Sequence, residues 1–345
     1  MSRPAGPDFL IIGAPKAGTT ALHAALAQHP QVFSSVPKEP KYWLCDDAPP
    51  PAWRGPGDAH SQQEWIWRRA DYERIFAGAE PGQVRGESTP FYLWSKGAHR
   101  RIGEALPDVK VISVVRDPID RAYSNWMHLW SDGLEPEADF VKAFGLQDAR
   151  IAAGWAPFWR YRDLGLYGDQ FRHLFRYVDP KRNLIVRYRD IIDDPQVTLN
   201  RACEFLGIDT DLVAGIPADN HRSYVAPGWR SRVFGLVVRT GAALGQFAPP
   251  EVWRKASVPL VDLLVGPGEE HRPHLTPEQR AELLPAFADD IALLSRLIGQ
   301  DFSDWLDASS SRGSFLQRAG STDGRAGQDT DVTRSWAPSG RAASK

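Results

Sequence analysis

The chain has 345 residues, in which 41 lysines and arginines nearly balance 43 aspartates and glutamates. This balance excludes bulk attraction to nucleic acid or to an anionic membrane, so any basic site must be local. The two cysteines, Cys45 and Cys203, exclude a disulfide framework and have no metal-ligand spacing. A folded body of about 300 residues buries about three-quarters of its unfolded surface, which is enough for one enzyme-sized domain.

The start of the chain bears on its location. Eight residues precede the first apolar run at Phe9–Ile12, which is too few for a signal peptide. No apolar run reaches the length of about 18 residues that a membrane span requires. We therefore expect a cytoplasmic protein without membrane insertion.

The first predicted element is a buried strand at Phe9–Ile12, followed by a glycine-containing loop with a lysine at position 16. Thr19 and Thr20 open the next helix, whose N-terminal N–H groups carry positive partial charge. Together with the N–H groups of the loop, this pattern is typical of a phosphate site.

The position of the lysine separates this loop from that of a nucleotide triphosphatase, which reads G-x-x-x-x-G-K-[ST]. Gly13 and Gly18 keep the spacing of the two glycines, but Thr19 follows Gly18 and the lysine is Lys16. The loop is therefore predicted to bind a phosphate group without being built for a magnesium-bound γ-phosphate.

The rest of the chain alternates predicted helices and strands. In chain order these are a helix at 21–29, a short strand reached through 29–33, a strand ending at 85–87, a helix at 98–106, a strand at 111–115, a helix containing Ser124, a helix at 163–178, a strand at 183–188 and a helix at 196–206. The proline- and glycine-rich residues 46–61 are expected to form a surface loop. This alternation predicts an α/β fold, a doubly wound parallel sheet in three αβα layers, with ligand sites at the carboxyl ends of the strands.

A second motif follows the strand at 111–115. It reads Arg116-Asp117-Pro118 and continues into a helix that carries Ser124. A guanidinium is a permanent, fork-shaped donor suited to a phosphate dianion, and a hydroxyl adds a neutral donor beside it. Like the first loop, this one lies at the carboxyl end of a predicted strand, where parallel sheets place their ligand sites.

Together, the loop Pro15–Thr20 and the segment Val109–Trp126 resemble the two nucleotide motifs of the sulfotransferases that use 3′-phosphoadenosine 5′-phosphosulfate (PAPS). The resemblance is closer to the carbohydrate, Golgi-type branch than to the cytosolic aryl branch. Segments at 86–92, 184–195 and 301–305 are similar to later landmarks of the family in the same order. The resemblance therefore covers residues 9–306 and implies the family's fold with a P-loop-like phosphosulfate loop.

The resemblance also implies a reaction and roles for individual residues. The sulfuryl group of PAPS would pass directly, in line and without a metal, to a hydroxyl or amine of a small-molecule, glycan or lipid acceptor, releasing 3′-phosphoadenosine 5′-phosphate (PAP). Arg116 and Ser124 would bind the 3′-phosphate. The 5′-phosphosulfate would be held by Lys16, Ala17, Gly18, Thr19 and Thr20, and Lys16 would also stabilise charge on the leaving phosphate oxygen.

Glu39 is the candidate general base, because the segment around it resembles the acidic-aromatic stretch where the carbohydrate branch keeps its base glutamate. The alternative interpretation is a solvated carboxylate between Lys38 and Lys41. Some members of the family use a histidine base instead. His99 and His128 fall near the predicted site, although neither lies in a matching motif.

Three further features bear on the ligands. Glu87 stands where the carbohydrate branch often has a lysine, which argues against an anionic glycan acceptor. Arg272 stands where a late basic loop closes over the 3′-phosphate in relatives. An arginine that contacts only solvent is an alternative of equal weight. Of the tryptophans, most are expected in the core and the rest around an aromatic acceptor pocket; the candidates are Trp43, Trp53, Trp65, Trp67, Trp126, Trp130, Trp155 and Trp159.

The domain organisation is read as one sulfotransferase domain over residues 1–306. Within it, residues 218–268 show no clean period before Val258–Val265 and are a candidate lid or acceptor-binding insertion. Residues 307–345 are rich in serine, glycine and arginine and are expected to be disordered.

Two alternatives to a PAPS-dependent sulfotransferase stay open from the residues. One is a small-molecule kinase with a degenerate Walker loop, which needs a lysine after Gly18 and an acidic magnesium ligand at a strand end. The other is a non-catalytic nucleotide-binding module, which would bind the nucleotide without turnover.

Overall fold

The computed structural model of this protein describes residues 6–45, 47–56, 65–217, 228–244 and 274–308. Its centre is a parallel sheet of five strands, in the order β2-β3-β1-β4-β5. The strands are β1 (Phe9–Gly13), β2 (Val32–Ser34), β3 (Val84–Ser88), β4 (Lys110–Val115) and β5 (Asn183–Arg187). The central strand β1 is buried throughout, as its apolar run predicts.

The order of the strands locates a switch point. The chain leaves β1 towards β3 and β2 on one side, and later enters β4 and β5 on the other. The loops that follow β1 and β4 are therefore adjacent at one sheet edge and diverge from it. Open parallel sheets place their ligands in such crevices at the carboxyl ends of the strands.

Helices cover the sheet and extend the fold beyond it. In the described residues they are α1 (Thr19–Leu26), α2 (Arg69–Arg74), α3 (Lys96–Ala105), α4 (Pro118–Ser131), α5 (Phe140–Gly145), α6 (Gln147–Ala152), α7 (Tyr167–Leu174), α8 (Tyr188–Asp193), α9 (Pro195–Leu206), α10 (Trp229–Leu244), α11 (Pro277–Leu283) and α12 (Ala288–Ile298). The predicted α/β fold with a parallel sheet is confirmed.

The helix predicted over 163–178 is shorter than expected. A 3-10 turn at Asp163–Gly165 comes first, and α7 begins only at Tyr167 because Leu166 has a ψ of 69°, outside the helical range. Leu164 and Val178 are nevertheless buried. The helix was predicted too long because buried apolar residues keep the helical spacing beyond both ends of α7.

The candidate insertion at 218–268 contains a helix that its sequence pattern did not predict. Helix α10 packs Phe234 into the fold with 6% of it exposed, and Arg239 Nη1 donates to the carbonyl of Gly133, 3.1 Å away, just after α4. The rest of that segment, Arg272 and residues 309–345 lie outside the described residues. The lid, the domain boundary and the disordered tail stay predictions.

No helix in the described ranges combines the length and the hydropathy that crossing a membrane requires. The cytoplasmic location expected from the sequence stays a prediction.

Candidate active site

The predicted phosphate loop, Pro15–Thr20, leads from β1 into α1. Gly18, which precedes α1, has a φ of 90°, a conformation that suits glycine. No side chain of the described residues caps the start of α1, so its first N–H groups face the loop. Ala17 and Thr19 are buried, whereas Lys16 is half-buried and Thr20 is exposed. The loop can therefore offer backbone and side-chain donors to one anion.

Arg116 reaches this loop from the end of the neighbouring strand β4. Its Nη1 donates to the carbonyl oxygen of Lys16 at 3.2 Å, and its guanidinium lies over the ring of Tyr188, 4.5 Å from the ring centroid. A Cβ added to Gly18 would lie 2.8 Å from Cδ2 of the same ring. The two motifs predicted from the sequence are thus in contact, with Tyr188 packed against both.

The turn that carries Arg116 is held by a buried ion pair. Asp117 Oδ1 accepts the backbone N–H groups of Ile119 at 2.9 Å and Asp120 at 3.0 Å, which caps α4. Arg280 of α11 is 3% exposed; its Nη1 donates to Asp117 Oδ2 at 2.8 Å and its Nη2 to Asp120. Helix α11 therefore fixes the start of α4 and with it the direction of Arg116.

A small cavity of about 130 Å³ opens beside Arg116. Its lining includes Tyr188 and Arg189 from α8, together with Asp304 and Trp305 near the end of the described chain. The predicted 3′-phosphate ligand Ser124 is half-buried on α4 and lines neither this cavity nor the larger one among the described residues. The 3′-phosphate role of Ser124 stays a prediction, and Arg272 lies outside the described residues.

Glu39 lies on the other side of the loop and is linked to it by Lys38. The Lys38 Nζ donates to Glu39 Oε1 at 3.0 Å and to Thr20 Oγ1 at 2.9 Å, while about a third of the Glu39 side chain, 34%, is exposed. Lys38 thus orients the candidate base against the start of α1. The sequence placed Lys38 beside Glu39 but carried no signal for its bond to Thr20.

The loop and Glu39 share a larger cavity of about 660 Å³. Lys16, Gly18, Thr19 and Thr20 line one part of it, and Glu39 and Lys41 line another. The remaining wall is mainly aromatic and proline side chains at 51–56, 65, 90–94 and 156–159, with His128 from the last turn of α4 and Asp132 just after it. The candidate base and the predicted phosphosulfate loop therefore meet in a space large enough for a small molecule.

A model of the Sulfotransferase family matches residues 7–211 of this chain. The chain belongs to the sulfotransferase family. It is 30% identical over 208 residues to heparan sulfate glucosamine 3-O-sulfotransferase 6 of Homo sapiens, covering 59% of this chain and 52% of the relative. It is 27% identical over 216 residues to bifunctional heparan sulfate N-deacetylase/N-sulfotransferase 4 of Mus musculus, covering 59% and 22%. The family predicted from the two motifs is confirmed, and both relatives named here are heparan sulfate sulfotransferases, in agreement with the predicted resemblance to the carbohydrate branch.

A solved structure is similar over more of the chain. The crystal structure of a sulfotransferase from Alicyclobacillus acidocaldarius has a TM-score of 0.67 and 28% identity, covering 88% of this chain and 99% of that one. By contrast, the chain spans about half the length of the heparan sulfate 3-O-sulfotransferase relative that it matches.

The structure distinguishes the two histidines that the sequence offered as alternative bases. His99 is fully buried; its Nε2 lies 2.8 Å from the carbonyl of Leu93 and its Nδ1 lies 3.1 Å from Nδ1 of His173. Burial lowers the pKa of His99 to about 4. His128 lies in the larger cavity, where its ring packs edge-on against Phe158 and its Nε2 is 3.7 Å from Asp132. Of the two histidines, only His128 reaches the cavity that Glu39 lines.

Glu87 is the centre of a buried hydrogen-bond cluster that the sequence did not reveal. Its Oε1 accepts from Tyr92 at 2.7 Å and from Tyr72 at 3.2 Å, and its Oε2 accepts from Thr89 at 2.8 Å. Burial raises the pKa of Glu87 to about 8, although the three donors oppose this shift. The cluster ties the end of β3 to α2 and to the turn that follows β3.

Proposed function

We propose that this protein is a PAPS-dependent sulfotransferase that transfers a sulfuryl group to a hydroxyl or amine of an acceptor and releases PAP. The observation that carries the proposal is the shared cavity: the phosphate loop with Lys16 lines one part of it and Glu39 lines another. Arg116 contacts the same loop from β4, which suits a nucleotide with phosphates at both ends. Membership of the family supports the same reaction.

In the proposed reaction, the acceptor oxygen or nitrogen attacks sulfur while the bond between sulfur and the bridging 5′-phosphate oxygen breaks. Glu39 takes the proton that the acceptor loses, because it is the carboxylate of this cavity that lies beside the loop. Lys16 and the N-terminus of α1 stabilise the negative charge that collects on the departing phosphate. Lys38 holds the carboxylate of Glu39 in place throughout.

The relatives' names point to glucosamine units of heparan sulfate as one acceptor for those proteins. For this chain the proposal requires only an acceptor with a nucleophilic hydroxyl or amine.

The test compares ligands by thermal unfolding of the full chain. PAP should raise the melting temperature far more than ADP or ATP with magnesium, since only PAP presents a 3′- and a 5′-phosphate. Incubation with PAPS and a metabolite mixture, followed by mass spectrometry, should then reveal products heavier by one sulfuryl group. Equal stabilisation by ATP with magnesium would favour a kinase, and PAP binding without any sulfated product would favour a non-catalytic module.

A further inference from the structure

The larger cavity has a wall that the phosphate loop and Glu39 do not explain. This wall consists of aromatic side chains that are neither sealed in the core nor open to solvent, at Trp53, Trp65, Phe91, Trp94 and Phe158. Prolines and leucines fill the spaces between them, at Pro51, Pro56, Pro90, Pro157, Leu44, Leu129 and Leu134. Rings of this kind bury large apolar areas with little loss of side-chain freedom.

Phe158 is the connecting residue of this wall. Its ring packs edge-on against Phe91, with centroids 5.7 Å apart, and against His128 at 5.6 Å. Phe91 belongs to the turn after β3 and His128 to α4, so the contact joins two sides of the cavity. These three rings therefore form one continuous patch of the cavity wall rather than isolated exposed residues.

The charges in the lining balance. Among the described residues of this cavity, Lys16 and Lys41 are the cations and Glu39 and Asp132 are the anions. Lys16 is assigned to the phosphosulfate, and Nζ of the other cation, Lys41, lies 5.7 Å from the centre of the Trp65 ring. A polyanionic chain requires a surplus of lysine and arginine to offset its charge, as phosphate-rich ligands do. The described part of this lining offers no such surplus.

We propose that the acceptor is a compact, uncharged molecule whose hydroxyl or amine is carried on an apolar, ring-shaped body, and that a sulfated glycan chain is not a substrate. The inference rests on the proposed sulfuryl transfer. The cavity of about 660 Å³ falls within the range of about 300–1,000 Å³ found for sites of drug-sized ligands. The apolar body lies on the wall around Phe158, and the nucleophile points to Glu39 and the loop.

The experiment measures two probes against the full-length enzyme saturated with PAP or supplied with PAPS. 2-Naphthol represents a flat apolar body with one hydroxyl, and a heparan sulfate hexasaccharide represents a polyanionic glycan. Calorimetry with the PAP complex should detect binding of 2-naphthol and none of the hexasaccharide. With PAPS, mass spectrometry should detect naphthyl sulfate and no additional sulfate on the hexasaccharide.

A matched pair of variants assigns the binding to the aromatic wall. Phe158→Ala should raise the KM for 2-naphthol about tenfold or more, because the apolar contact is lost, with PAP affinity unchanged. Phe158→Leu should recover most of the loss. Tyr177→Ala is the control, since Tyr177 is a large aromatic residue, 37% exposed, that does not line the cavity.

The outcomes separate the two proposals. Failure of PAP to bind more strongly than ATP with magnesium would reject the sulfotransferase assignment itself. If PAP binds but the hexasaccharide is sulfated, or 2-naphthol neither binds nor reacts, the acceptor inference is overturned and the reaction class survives. Equal KM values in Phe158→Ala and the parent would also overturn it.

Discussion

The guanidinium of Arg116 lies 4.5 Å above the centre of the Tyr188 ring. Arg116 follows β4 and Tyr188 follows β5, so the contact joins the carboxyl ends of two paired strands. The same ring packs against Gly18 of the phosphate loop. A cation over an aromatic face contributes about 0.5–2 kcal/mol, and here it also sets where the guanidinium can meet an anion. Tyr188 therefore positions Arg116 relative to the loop.

Arg116→Ala should weaken PAP binding, with a smaller effect on the stability of the fold. A lost charged hydrogen bond costs about 1.5–3 kcal/mol, which corresponds to roughly 10- to 150-fold in Kd. Isothermal titration with PAP measures the change. Arg182→Ala is the control, because Arg182 pairs with Asp108 and lines neither cavity. Parental affinity in Arg116→Ala would contradict the assigned phosphate contact.

Gly18→Ala should lose stability and PAP affinity together. A left-handed conformation costs a non-glycine residue about 1–2 kcal/mol, and the new Cβ would lie 2.8 Å from the Tyr188 ring. Gly82→Ala is a close control, since Gly82 has a φ of 92° but, among the described residues other than its chain neighbours, no atom within 4 Å of its Cβ position. Urea unfolding and PAP titration should show a similar backbone cost in both variants and a loss of affinity only at Gly18. Equal PAP affinity in the two variants would show that the contact with the Tyr188 ring does not affect PAP binding.

Glu39→Gln should retain PAP affinity and lose about 10²- to 10⁴-fold in turnover, because the amide cannot accept the proton of the acceptor. Steady-state turnover with an identified acceptor and titration with PAP separate the two effects. Glu104→Gln is the control, since that side chain is 58% exposed on α3. Parental turnover in Glu39→Gln would require another base, and His128 is the next candidate because it lines the same cavity.

Glu87→Gln should change how stability depends on pH. Burial raises the pKa of Glu87 from 4.5 to about 8, so the folded protein keeps a proton that the unfolded chain has released. The contribution of Glu87 to the free energy of unfolding is complete below pH 4.5. It is lost as the pH rises to about 8, by up to about 1.4 kcal/mol per pH unit. Glutamine keeps this site uncharged at every pH, with its oxygen accepting from the two tyrosines and its nitrogen donating to Thr89.

The measurement is the free energy of unfolding in urea across about pH 5 to pH 9. The variant should gain stability relative to the parent as the pH rises to about 8 and keep a constant advantage above it. Parallel curves for parent and variant would show that Glu87 is ionised in the fold across this range.

Much of the candidate nucleotide site could be predicted because its signals are local. An apolar run makes a buried strand, and Gly18 followed by Thr19 marks the turn into α1, whatever the rest of the chain does. Arg116 follows its strand in the same way. Since parallel strands end at one edge of the sheet, the two motifs were expected at one site, and the structure brings them together. Helix ends, as at Leu166, were less predictable because buried apolar residues continue past them.

The contacts that join distant residues were decided by the tertiary structure alone. Arg116 meets the carbonyl of Lys16 across 100 residues of sequence, and no local pattern specifies that bond. The packing of α3 against α7 buries His99 on His173, away from the cavity, while the direction of α4 brings His128 into it. Sequence spacing could not show which of the two histidines lines the cavity, because burial depends on what the fold places opposite each side chain. The sequence by itself determined the family and the order of the phosphate motifs; the balanced, aromatic cavity exists only because segments far apart in the chain converge on it.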